Sequence, residues 1–164
     1  RSCAVLSHRS GMFVWSCFVV VHDCTGFARA ARRPAGGRVR LVGGVDDASR
    51  NRLVAECDLF CLPSVNRAEA FGLSLVEAMA AGKAQLATRV AGSGMNWVVE
   101  EGRTGWMVAP GDADELAKCL RRLARKRAEV AAAGARSRER FEARFRIDAV
   151  ARQVEQGASI SIAR

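Results

Sequence analysis

Apolar residues along the chain fall into two alternating patterns. Brief apolar runs occur at residues 18–21, 39–42, 59–62, 85–88 and 106–108. Each is bounded by Gly, Pro, Asp or Ser and followed by a turn signal, the pattern of short buried strands. Between them lie stretches with helical spacing. Residues 48–56 follow Asp46 and Asp47 as acidic cap candidates, and residues 73–81 stop at Gly82, a residue suited to the position after a helix end. After Pro110-Gly111, Asp112 with Glu115 three positions on has the form of a capping box. The helix it opens carries Leu116, Cys119, Leu120 and Leu123 on one face. Beyond Phe145 the pattern predicts one more short helix at 147–154 and a frayed tail.

Strands joined by helical connections of this length imply βαβ units. The expected fold is therefore α/β: a Rossmann-like, doubly wound parallel sheet in a single domain. In such sheets ligands bind outside the carboxyl ends of the strands, here just after Val42, Leu62 and Thr88. The most apolar stretch, MFVWSCFVVV at 12–21, is too short to cross a bilayer as a helix, which takes about 20 residues. Arg9 precedes it as in a signal peptide, but no small-residue cleavage site follows before His22-Asp23. A buried parallel strand at 18–21 is the expectation.

Charge changes this picture less than its total suggests. The 164 residues carry 26 Lys+Arg against 17 Asp+Glu, a net +9 that taken alone points to nucleic acid or an acidic surface. Residues 1–40 hold seven basic and one acidic residue, residues 41–120 seven and eleven, and residues 121–164 twelve and five. The stretch that holds the motifs is thus acidic, whereas a duplex binder sets its arginines beside its recognition element. The Arg-rich run at 121–146 includes Glu129, Glu139 and Glu142 and reads as a solvated helix face. No nucleic-acid partner is expected, while peripheral contact with an anionic membrane is retained.

The six cysteines form no CxxC pair, and His8 and His22 do not complete a zinc-ligand pattern. Cys57, Cys61 and Cys119 sit among apolar residues as small buried hydrophobes do. Reduced cysteines, no metal and a cytoplasmic setting are expected.

The informative segment is PSVNRAEAFGLSLVEAMAAG, from Pro63 to Gly82. It reads as strand end, Pro-Ser turn, polar loop, glycine and helix. Glu69 lies in the loop and Glu77 in the helix, eight positions on. A helix N-terminus offers unpaired N–H groups and partial positive charge, and Gly72 lets a ligand approach the backbone closely. Carboxylates on either side accept hydrogen bonds from adjacent hydroxyls, as on a ribose or hexose. Phosphate cradle and flanking carboxylates together suit a nucleotide sugar. The competing reading is structural: Ser74-x-x-Glu77 is itself a capping-box pattern, worth about 1 kcal/mol without any ligand.

This stretch closely resembles the E-x-F-G-x-x-x-x-E signature of retaining GT-B glycosyltransferases of the sucrose-synthase-like/mannosyltransferase group. Further matches are Val39 to Asp47 (VRLVGGVDD), Cys57 to Ser64 (CDLFCLPS), Glu77 to Gly82 (EAMAAG), Gly102-Arg103-Thr104-Gly105 and Pro110-Gly111-Asp112. The resemblance implies the C-terminal, donor-binding half of a GT-B enzyme over residues 18–155. Residues 1–17 form a poorly matched amino-terminal segment, and residues 156–164 a tail. By the same resemblance Glu69, the catalytic candidate, would contact the transferred sugar. Ala70, Phe71, Gly72 and Leu73 would line the donor with backbone groups, Glu77 would accept from the ribose hydroxyls, and Gly44 and Val45 would lie against the base. The donor would be a UDP- or GDP-sugar, with no metal ion or other cofactor.

The family pattern also implies partners: a missing amino-terminal half, and a glycan or lipid-linked acceptor in polysaccharide biosynthesis at the inner face of the membrane. The Arg–Lys loop that neutralises the diphosphate leaving group in relatives has no match in residues 1–17. Removal of that charge stabilisation should slow transfer severely. His22-Asp23-Cys24 replaces a Gly-Asp-Gly strand end, and Trp97 stands where many relatives carry a glutamate. A catalytically inert nucleotide-sugar-binding module or gene fragment is therefore the alternative function, and a basic nucleic-acid-binding domain a third.

Overall fold

Alternation along the central strands decides where everything else packs. On β4 (Leu59–Leu62), Leu59 and Cys61 point to one face while Phe60 and Leu62 point to the other. On β5 (Ala84–Thr88) Ala84 and Leu86 oppose Ala87, and on β6 (Gly105–Val108) Trp106 and Val108 oppose Met107. Every residue of these three strands is buried, which requires helices on both faces. The computed structural model of the chain describes residues 2–10, 13–21, 39–152 and 155.

One face is covered by α1 (Asp47–Glu56), α2 (Leu73–Ala80) and the short α3 (Met95–Val98), through Val54, Leu75, Met79, Met95 and Val98. The other is covered by α4 (Ala113–Ala124) and the first half of α5 (Arg127–Arg144), through Leu123, Val130 and Ala133. The far end of α5 crosses to the first face, where Phe141 and Phe145 pack. The doubly wound α/β architecture expected from the sequence is thus present.

With β1 (Ser2–Ser10), β2 (Phe13–Val21) and β3 (Val39–Gly43), six strands form one sheet in the order β3-β1-β2-β4-β5-β6. β2, β4, β5 and β6 pair in parallel. β1 has no counterpart in the sequence-based expectation. It pairs antiparallel with both β2 and β3, so the sheet is mixed at this end. β2 begins five residues before the expected strand at 18–21. Because β1 is reversed against two neighbours, β3 still runs in the same sense as the parallel set. The carboxyl ends of β3, β4, β5 and β6 therefore share one edge.

The helix signals hold with adjustments. Asp46 caps α1, its carboxylate accepting from Ser49 N at 2.7 Å, and this hydrogen bond holds its pKa below the ordinary aspartate range. Gly82, at φ +68°, closes α2 with Lys83 N–Ala78 O and Gly82 N–Met79 O bonds of 2.9 Å each, a Schellman motif. Asp112 caps α4 by accepting from Glu115 N, but Glu115 does not complete the box. Its carboxylate accepts instead from Ala109 N at 2.7 Å and ties the helix to the end of β6. The basic run at 121–146 is two helices broken at Arg125-Lys126. Many of its charges are paired: Arg122 and Lys126 with Glu129, and Arg138 and Arg146 with Glu142. Residues 147–152 are helical, while the last two positions of the helix expected there, 153–154, lie outside the described residues. No helix among the described residues is long and apolar enough to cross a membrane.

Two outcomes follow. A Cβ added at Gly134 of α5 would sit 2.4 Å from the Gly82 carbonyl oxygen and 3.2 Å from Ala84 N, both backbone atoms. Gly134→Ala gains about 1 kcal/mol of helix propensity but forces two elements apart, an overpacking cost of about 1–3 kcal/mol. Net destabilisation is expected as a lowered urea midpoint. Separately, Cys57 and Cys61 are buried, and burial pushes the Cys119 thiol up. These three should resist maleimide in the native protein and react after denaturation, as read by mass spectrometry of peptides.

Candidate active site

Four loops meet at the carboxyl edge of the sheet, and the β4–α2 loop is central. Glu69 lies in it with only 8% of its surface exposed. Its Oε1 accepts from Gly72 N at 3.0 Å. Gly72 is the N-cap of α2 at φ +86°, in the left-handed region, and it offers no side chain to cap the helix. Glu69 supplies that missing acceptor from three residues upstream. The Gly72 amide, expected to face a ligand, is thereby engaged inside the protein. The amides of Phe71 and Leu73 have no acceptor among the described residues.

The capping-box alternative for Ser74 and Glu77 does not form. Ser74 lies inside the helix, buried, with no hydrogen-bond partner for its hydroxyl among the described residues. Glu77 stands one turn beyond Leu73, on the same exposed side of α2. Its Oε1 is 3.7 Å from Nη2 of Arg50, which projects from α1 and also meets Asp47 at 3.4 Å. This contact carries α1, and with it the Gly44-Val45 turn after β3, to the Glu77 side of α2. Gly44 is exposed, with open space where a Cβ would stand, and Val45 packs against the same core as Val76.

A second loop, between β5 and α3, fixes the first. Ser93 Oγ donates to Glu69 O at 2.8 Å, and Gly94 N donates to Ala70 O at 2.7 Å. A Cβ at Gly94 would fall 2.7 Å from the Phe71 ring and 3.3 Å from Ala70 O. Thr88, at the end of β5, donates its hydroxyl to Ser64 O. The guanidinium of Arg67 lies over Gly92, its Cζ 3.2 Å from the ideal Cβ position there. Ser93, Gly94, Arg50 and Arg67 were not found by spacing. Their one visible signal is small or polar character just past an apolar strand, too common to single them out.

The structure therefore gathers Glu69, Ala70, Phe71, Gly72, Leu73 and Glu77 around the start of α2, with Gly44 and Val45 entering from the neighbouring loop. Among the described residues no cluster of three or more His, Cys, Asp or Glu side chains is placed to hold a metal ion.

The family model for group 1 glycosyl transferases matches residues 15–126. Phosphatidyl-myo-inositol mannosyltransferase of Mycobacterium leprae is 36% identical over 117 residues, covering 68% of this chain and 30% of that protein. Among solved structures, sucrose-phosphate synthase from Thermosynechococcus elongatus superposes with a TM-score of 0.67 at 31% identity, over 84% of this chain and 33% of that one. HepE of Anabaena, solved with UDP and glucose, superposes at 0.68 and 27% identity, over 81% and 35%. The chain spans about a third of the length of these proteins, within their carboxyl-terminal half. Signature, fold and similarity agree: this chain belongs to the group 1 glycosyl transferases, with the GT-B type of fold.

Proposed function

We propose that this chain is the donor-binding half of a retaining glycosyltransferase, which moves a sugar from a UDP- or GDP-sugar to a glycan or lipid-linked acceptor. The observation that carries the reading is the placement of two carboxylates around one helix start: Glu69 buried and locked to Gly72, Glu77 half-exposed on the outer turn. The HepE structure with UDP and glucose, and the mannosyltransferase name of the mycobacterial relative, support the donor class. The phosphatidyl-myo-inositol in that name supports a lipid-linked acceptor.

In this reading the Phe71 and Leu73 amides, with the dipole of α2 behind them, receive the diphosphate. Glu77 accepts from the ribose hydroxyls, and Arg50 holds its carboxylate while the site is empty. Glu69 faces the sugar, and its bond to Gly72 N keeps the carboxylate from turning away. The Gly44-Val45 backbone lies against the base. Residues outside this chain complete the acceptor side and the charge that stabilises the leaving diphosphate, at an interface with the amino-terminal half beside the inner membrane face.

Titration with UDP- and GDP-sugars tests the donor site. Removing a charged hydrogen-bond acceptor costs about 1.5–3 kcal/mol, so Glu77→Ala should weaken binding roughly 10- to 100-fold. The Arg50–Glu77 pair is part-exposed and worth at most about 1 kcal/mol, so Arg50→Ala should change affinity less than about fivefold. Absence of binding by the wild type to every donor in the panel overturns the reading. At Glu69, the amide of Gln can still accept from Gly72 N, whereas Ala cannot. Glu69→Gln should keep the wild-type melting temperature yet lose donor-sugar discrimination, comparing UDP-glucose with UDP. Glu69→Ala should lose both. Equal behaviour of the two variants would assign Glu69 a purely structural role.

A further inference from the structure

Trp97 borders the site just described, against Phe71. It is 50% exposed, although large aromatic side chains normally bury most of their surface. Its orientation is nevertheless fixed from three sides. Phe145 meets it edge-on with centroids 5.0 Å apart, and Phe71 lies tilted at 5.9 Å. The Arg140 guanidinium sits 5.8 Å from its ring centroid and donates Nη2 to the Trp97 carbonyl at 2.7 Å. An indole held this firmly has little rotamer freedom left to lose on binding.

Beside it opens a cavity of about 560 Å³, within the range of ligand clefts, roughly 300–1,000 Å³. Val99 and Met107 give it an apolar floor, and Asn96, Arg89, Glu100 and Glu101 its polar wall. The charges cancel locally: Arg89 pairs with Glu101 at 2.6 Å, and Arg140 pairs with Glu100. A cavity without net charge does not select a phosphate or a carboxylate. Asn96 donates Nδ2 to Val90 O at 3.0 Å, which fixes the amide and leaves its Oδ1 with no donor among the described residues.

We infer that this cavity binds a neutral pyranose, with Trp97 as the platform for the sugar ring. A pyranose presents a face of C–H bonds that is electropositive and apolar, matching the electronegative face of an indole. Its rim of hydroxyls both donates and accepts, as do the wall groups Asn96, Glu101 and Arg89 together. Phe71 belongs to the same loop as Glu69 and touches Trp97, so the platform is continuous with the donor site. Naming the bound ring as part of a glycan acceptor rests on the transferase reading above. The sugar site itself does not.

Saturation-transfer NMR on this chain, with methyl α-mannopyranoside and methyl α-glucopyranoside as probes and UDP at saturation, is the test. The wild type should transfer magnetisation to the ring C–H protons despite UDP. Trp97→Ala should abolish the transfer, Trp97→Phe keep part of it, and Asn96→Ala reduce it several-fold. UDP binding measured in parallel reports folding and the donor reading independently. No transfer in the wild type, or transfer unchanged in both Trp97→Ala and Asn96→Ala, overturns the inference. If Trp97→Ala no longer binds UDP, Asn96→Ala alone decides. If the wild type binds no UDP while the Trp97-dependent transfer persists, the donor reading falls and the sugar site stands.

Discussion

Two backbone-directed hydrogen bonds between loops hold the site together: Ser93 Oγ to Glu69 O, and Gly94 N to Ala70 O. They join the loops that follow two adjacent parallel strands, and everything at the carboxyl edge is positioned relative to that seam. The seam is possible only because residue 94 lacks a Cβ, which would otherwise meet the Phe71 ring. With the loops joined, Glu69 can be buried and can cap α2 from outside the helix. In consequence Gly72 is free to adopt a left-handed turn that no side chain at that position could use for capping.

Much of this is legible in the sequence. Periodicity located β4 to β6 because those strands are buried on both faces, so their apolar runs are uninterrupted, and it placed α1 and α2, whereas the single turn of α3 is too short to show a helical period. The Glu69–Glu77 spacing was legible because strand, turn and helix punctuate it so clearly. What escaped has physical causes. β1 pairs antiparallel between β2, which follows it almost directly, and β3, and its mixture of Ser, His, Arg and apolar residues carries no clean alternation. Ser74 matched a capping pattern but sits inside the helix, since the N-cap is Gly72, whose amide is taken by Glu69 from the preceding loop. Glu115 similarly found a partner at the end of β6 instead of its own helix start.

The charge pattern also gains meaning from the fold. The basic helices are laced with their own ion pairs, and Arg138 and Arg140 spend part of their capacity on the carbonyls of Ala80, Trp97 and Val98. Arginine serves here as a fastener between α5 and the loops at its far end. A lysine carries its three donors on a single nitrogen, whereas Arg140 spreads three nitrogens over two carbonyls and a carboxylate.

The crossing of α5 over Gly82 reaches further than its local packing. The helix seals one face of the sheet with Val130 and Ala133, passes the end of α2 at Gly134, and closes the opposite face with Phe141 and Phe145. It works as a bolt through both layers, so one core waits for Ala133 and the other for Phe145. On an emerging polypeptide the parallel strands would wait, unsealed, for the last helix. The early chain is then the form most exposed to misassociation, and shortening α5 from its carboxyl end should yield insoluble protein well before any residue of the donor site is lost.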